Sequence, residues 1–231
     1  PVSGLVVFAK TSKALARMNE IFQNRKVKKT YWAISRNLPP RAEDTLVDYL
    51  TPRERNNKTY VSRTPVDGAQ KAVLDYKLLA KTDYYCLLEV NLHTGRKHQI
   101  RAQLSAMGCP IRGDLKYGDR RSNPDGGISL QSHRIVFEHP VSKKIIDLVA
   151  PIPDDNLWRA LAANLWLLYA DSLWESNPEG CLFIPNPVIS TAFWCWLCNW
   201  LTISFLLFTR VRDKRCLKKW QKKGNHWFLV I

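Results

Sequence analysis

The run Leu92-His93-Thr94-Gly95-Arg96-Lys97-His98-Gln99-Ile100-Arg101 is the strongest local signal for chemistry in the chain. It falls where strand-like sequence gives way to helical spacing. Gly95 allows a tight turn there and exposes the next side chain beside a helix N-terminus. Arg96 is therefore placed to meet an anion, although a basic turn solvated by water has the same spacing. Arg101 lies roughly a turn and a half further round the helix and cannot duplicate that role. His98 suits bracing of the turn better than base catalysis. A second group surrounds Tyr31, whose ring offers an apolar face for stacking and a hydroxyl for proton transfer. Lys26, Lys28 and Lys29 stand beside it, and Lys97 and Arg101 flank Arg96. Together they form a candidate phosphate-contacting surface, with a merely solvated charged face as the plain alternative. His93, His133 and His139 show no ligand spacing, so no metal site is expected. Cys195-Trp196-Leu197-Cys198 is a lone Cys-x-x-Cys without a second pair.

These groups need elements to hold them. Residues 2–10 (VSGLVVFAK) read as a buried strand, and Thr11 or Ser12 supplies the cap of a helix over 12–24. Leu15, Met18, Ile21 and Phe22 form its apolar stripe. Residues 28–36 return to strand character. Residues 41–70 are polar and turn-rich, with a tight turn at Asp67-Gly68. Strands are expected over 71–80 and 84–92. The helix after Arg96 carries Ile100, Leu104 and Met107 and ends at Gly108. An irregular loop over 110–127, strands near 129–138 and 143–149, and a last helix over 156–168 complete the body. More strands than helices, several joined by short turns, predict an α+β domain with a mixed or mostly antiparallel sheet flanked by helices.

The chain has 231 residues and a net charge of +15. Residues 1–170 carry 27 Lys/Arg against 16 Asp/Glu, so the excess lies mostly on the folded body. That favours a polyanionic partner, nucleic acid first. Six cysteines without a regular framework fit a reducing, cytoplasmic compartment. Residues 169–231 differ from the domain expected over 1–168, being rich in Trp and Cys. They include an uncharged run over 188–208, long enough to cross a bilayer and followed by basic residues. A membrane anchor, a buried helix, or sequence produced by frameshift or readthrough are the readings of that tail.

Taken in order, the motifs resemble one family. Thr94–Arg101 (TGRKHQIR), Gly113-Asp114 and Tyr117-Gly118 resemble the signature block of the RluA-type pseudouridine synthases. Ser3-Gly4-Leu5 through Ala9-Lys10 resembles the second half of their first motif, and Lys29-Thr30-Tyr31 their Lys-x-Tyr strand. Ser132-His133-Arg134, His139-Pro140 and Ala150-Pro151 resemble their closing strands. The resemblance covers residues 1 to about 165. It implies an isomerase that cuts the N1–C1′ bond of uridine in ribosomal or transfer RNA, turns the uracil and rejoins it through C5, without metal or redox cofactor. It implies that Arg96 pairs with a catalytic aspartate and keeps it ionised, and that Tyr31 packs on the target base. Lys29, Lys97 and Arg101 then face RNA, and the base must leave its stack. The aspartate is expected just upstream of Pro1. Asp67, Asp75, Asp83 and Asp114 do not stand in its motif, and Asp114 is expected to brace a loop. The parent protein is thus expected to be an isomerase, with this chain alone inactive. The alternatives are an RNA-binding module without turnover, and a protein tethered to membrane through 188–208. A monomer is the default.

Overall fold

The computed structural model describes residues 2–53 and 56–165, and the backbone of residues 220–223 and 226–230. The elements are β1 (Ser3–Phe8), α1 (Ser12–Gln23), β2 (Val27–Ser35), β3 (Glu43–Arg53), β4 (Lys58–Ser62), β5 (Gln70–Lys81) and β6 (Cys86–Leu92). Then come α2 (Gln99–Ala106), a short 3-10 helix (Leu115–Tyr117), β7 (Leu130–Glu138) and β8 (Ile145–Val149). A third helix, α3, runs over residues 156–165, and β9 (Trp220–Lys223) and β10 (His226–Val230) follow. The strands form one sheet in the order β4-β3-β5-β6-β2-β7-β1-β10-β9, with β8 paired to β7. β1 runs parallel to both β7 and β10, and the other pairs are antiparallel. This is the α+β fold with a mixed, mostly antiparallel sheet that the strand count predicts.

Alternation along the strands divides the core. Ala33, Leu74, Tyr76, Leu88 and Val90 pack under Ile100 and Leu104 of α2. Trp32, Ile34 and Leu87 point the other way, onto Trp158 and Leu161 of α3. Met18 of α1 closes a third cluster with Leu5, Val27, Ile135, Phe137 and Leu148. Each Val, Leu, Ile, Phe or Met among them contributes about 1.5–3 kcal/mol when fully buried.

Three expectations change. Residues 41–70 hold β3 and β4 rather than a loop. β3 alternates, but its more exposed positions include Val47 and its less exposed ones Asp44 and Asp48, which hides its period-two pattern. Its inward Asp48 is made tolerable by Gln103, whose amide donates to it at 2.8 Å. The stripe on α1 is narrower than its spacing implies, because Met18 is buried while Leu15 and Phe22 are 52% and 36% exposed. Finally, β9 and β10 lie within the segment set apart as 169–231, yet their backbone extends the sheet from β1. The uncharged run 188–208 lies outside the described residues. No helix among the described residues is long and apolar enough to cross a membrane.

Candidate active site

The turn between β6 and α2 is built around one buried amide. Gln99 is 2% exposed. Its Oε1 accepts from the Thr94 hydroxyl at 2.8 Å and from the Arg96 backbone N–H at 3.0 Å, while its Nε2 donates to the Val73 carbonyl at 3.1 Å. Thr94 Oγ1 in turn accepts from Val73 N–H at 2.9 Å. The turn is thereby tied to β5 by buried and part-buried polar groups, and a buried polar group left unpaired costs about 1–3 kcal/mol. Arg96 leaves this turn exposed, and its Nε donates to the Lys71 carbonyl at 3.3 Å. None of the ion pairs formed among the described residues involves Arg96.

Arg96 faces a cleft of about 1000 Å³ where β6 ends and β2 begins. Arg25, Lys28, Lys29, Arg96 and Arg134 line it, and no Asp or Glu does. Lys29 lies against the turn, with its Nζ 3.5 Å from where a Cβ on Gly95 would stand. Burial lowers the Lys29 pKa from the usual ammonium value. Arg134 is held by Asp147 through two bonds, at 2.8 and 2.5 Å. At the rim, Asp75 meets His93 Nε2 at 2.6 Å and the Thr45 hydroxyl at 2.7 Å. Burial would raise the Asp75 pKa, but the hydrogen bonds from Thr45 and His93 outweigh it and hold it below the usual carboxylate value.

Tyr31 stands two residues beyond Lys29, on the same side of β2. It is half-buried against the core beneath α2 and does not line the cleft itself. Burial raises its pKa, offset in part by a hydrogen bond to the Ser132 side chain, so the phenol stays protonated at neutral pH. A bulge brings Ser132 there: Thr30 pairs with Arg134 and Tyr31 with Ser132, leaving His133 as the extra residue. Gly4 of β1 presses on the same point. Its φ is +111°, and a Cβ there would lie 2.3 Å from the Ser132 carbonyl oxygen. The glycine is required by contact as well as by backbone angle.

The remaining sequence candidates separate. Lys97 is exposed, and its carbonyl accepts from the Thr59 hydroxyl at 3.0 Å. Arg101 turns onto Asp114, which is 1% exposed and also accepts from Tyr117 N–H, so Asp114 braces the loop after α2. His98 Nδ1 lies 3.0 Å from the Tyr117 hydroxyl, which itself accepts from Thr59 N–H. Burial, then Arg101 and nearby lysines, lower the His98 pKa and keep the ring neutral. Cys86 and Cys109 are buried free thiols, and burial next to Cys109 pushes Cys86 up to about 12. Such a thiol is no nucleophile at neutral pH. Among the described residues no three His, Cys, Asp or Glu side chains gather as metal ligands. Spacing alone overlooks Phe22, Arg25 and Arg134, which the fold brings to the cleft from α1, its end and β7.

The chain is similar in sequence and fold to known proteins. The RNA pseudouridylate synthase family model matches residues 1–106. The tRNA pseudouridine synthase C of Vibrio parahaemolyticus is 32% identical over 179 residues, covering 70% of this chain and 71% of that protein. An uncharacterized RNA pseudouridine synthase of Chlorobaculum parvum is 32% identical over 171 residues, covering 66% of this chain and 52% of that protein. The ribosomal large subunit pseudouridine synthase D of Vibrio cholerae is 30% identical, covering 69% and 52%. The chain thus spans about half the length of most of these relatives. Human RNA pseudouridylate synthase domain containing 4 shares the fold, with a TM-score of 0.53 and 24% identity over 68% of this chain and 69% of that one. The chain belongs to the RluA-type RNA pseudouridine synthase family.

Proposed function

We propose that the protein isomerises uridine to pseudouridine in ribosomal or transfer RNA, as a cytoplasmic monomer that uses no metal or redox cofactor. The observation that carries this reading is the Thr94-Gly95-Arg96 turn, fixed by Gln99 at a cleft lined by five cations and no carboxylate. In the reaction the N1–C1′ bond breaks, the uracil turns, and a C1′–C5 bond forms. The C5 proton leaves and N1 takes one up, so atoms and charge balance. Arg96 pairs with the catalytic carboxylate and keeps it ionised. Tyr31, beside the cleft and on the same side of β2 as Lys29, packs on the target base once that base enters, and its protonated phenol can donate. Lys29 and Lys97 contact phosphate. Arg101, bound to Asp114 and with its side chain 19% exposed, supports that surface. A base inside a duplex cannot reach such a cleft, so the substrate uridine is flipped or looped out.

The test is release of tritium from RNA labelled at uracil C5, using the protein expressed from its whole gene. Release from ribosomal or transfer RNA supports the reading, and its absence from both overturns it. One observation favours a second reading: no carboxylate among the described residues pairs with Arg96. On that reading the polypeptide of residues 1–231 holds RNA without turning it over. It predicts salt-dependent binding by that polypeptide with no tritium released.

A further inference from the structure

We propose that RNA beyond the reacting nucleotide leaves the cleft across Lys28, stacks one flanking base on Phe22, and lays its backbone in a second groove between α1 and the β7–β8 hairpin. This extends the reading of the cleft given above and rests on it.

The second groove has a volume of about 590 Å³. Arg17, Lys26, Lys28 and Lys143 line it, against Glu20 and Glu138. Lys143 pairs with Glu138 at 3.2 Å, while Arg17, Lys26 and Lys28 enter no ion pair among the described residues. Lys28 and Val136 line both cavities, so the two basic surfaces are contiguous. A chain of phosphates that leaves the cleft over Lys28 therefore meets further positive charge.

Phe22 indicates what that chain is. Its ring is 36% exposed at the wall of the first cleft, and the Lys29 ammonium lies 5.3 Å from its centroid. The core beneath α1 is closed by Met18 and does not need this ring. An aromatic face left open within a basic channel is how proteins hold single-stranded nucleic acid, with bases stacked and phosphates paired to cations. The backbone points the same way. Arg25 and Lys143 have φ of 55° and 56°, the left-handed region that glycine and asparagine normally fill. The chain carries a long cation at both, one lining each cavity.

The experiment is fluorescence anisotropy on the protein expressed from its whole gene. The probes are mixed-sequence single-stranded RNAs of about 20 and about 5 nucleotides, the shorter one fitting the first cleft alone. Arg17→Glu with Lys26→Glu should weaken binding of the longer RNA by about tenfold or more and reduce the slope of log affinity against log salt by about 1.4. The loss on the shorter RNA should be much smaller. Phe22→Ala should weaken both by about fivefold or more, and Phe22→Trp should restore them. If charge reversal unfolds the protein, Arg17→Gln with Lys26→Gln gives the same readout in weaker form. The path is overturned if the double variant binds the longer RNA as the wild type does, or loses both RNAs equally. It is also overturned if the variant loses only phosphatidylserine vesicles. Tritium release separates the two readings: RNA bound as expected but without release sinks the isomerase and leaves the path. Normal release with unchanged binding by the double variant sinks the path alone.

Discussion

Arg101 meets Asp114 through two parallel bonds, Nε to Oδ2 at 2.6 Å and Nη2 to Oδ1 at 2.7 Å. The guanidinium also lies 4.8 Å over the Tyr117 ring, and its pKa is raised first by the hydrogen bond to Asp114. The carboxylate is buried, so removing Arg101 strands a charge, at a cost of about 3–5 kcal/mol. Arg101→Met should lower the free energy of unfolding in urea by that amount. Arg101→Met with Asp114→Leu should recover part of it, because the pair is then replaced by apolar contact. A double variant no more stable than Arg101→Met alone would show that the bond itself, not the stranded charge, sets the cost.

Gln99 does not itself line the cleft yet fixes Arg96 by its backbone. Gln99→Ala frees the Arg96 N–H and the Thr94 hydroxyl, and should lower kcat by about a hundredfold through misplacement of the arginine. KM should change little, since Lys28 and Lys29 remain. Single-turnover tritium release with excess protein reads the chemical step directly. An unchanged kcat would mean that the turn holds its shape without the amide.

Gly4 has no room for a side chain. Gly4→Ala must push Ser132 away, and its positive φ adds strain, so a loss of about 2–4 kcal/mol is expected. Thermal unfolding measures it. Because Ser132 is the partner of the Tyr31 hydroxyl, the same change should slow isomerisation in whatever protein remains folded.

His133 carries a pH dependence. Its ring stacks on Trp32 with centroids 3.6 Å apart, and burial, helped by Arg134, pushes its pKa down to about 4 from 6.5. The unfolded chain therefore takes up a proton at higher pH than the folded one. Stability is full above about 6.5 and falls as pH drops from there toward about 4. Urea midpoints across that window should decline in the wild type and decline less in His133→Asn. Equal declines would place the titrating group elsewhere.

The turn at Gly95-Arg96 is legible in the sequence because a local rule governs it: strand, glycine, cation, then helical spacing. The body's α+β architecture follows for the same reason, from alternation and turns. Long-range pairing hides the rest. TLVDYL holds strand formers in Thr45, Val47 and Tyr49, but Asp48 on its less exposed face breaks the apolar alternation until Gln103, 55 positions on, accounts for it. Phe22 reads as core at helical spacing, and only the breadth of Met18's contacts shows that the ring is left over for solvent. Arg101 reads as a free cation because its partner Asp114 lies beyond the helix, on a loop whose path the residues between do not specify.

If Arg96 is the partner of the reacting carboxylate, its loss should all but stop pseudouridine formation in this cleft. The most direct measurement is nucleoside mass spectrometry of ribosomal and transfer RNA after incubation with the protein expressed from its whole gene, beside its Arg96→Ala variant. Pseudouridine should accumulate with the wild type and form at least about a thousandfold more slowly with the variant. No pseudouridine from the wild type on either RNA, or equal rates from both proteins, would contradict it.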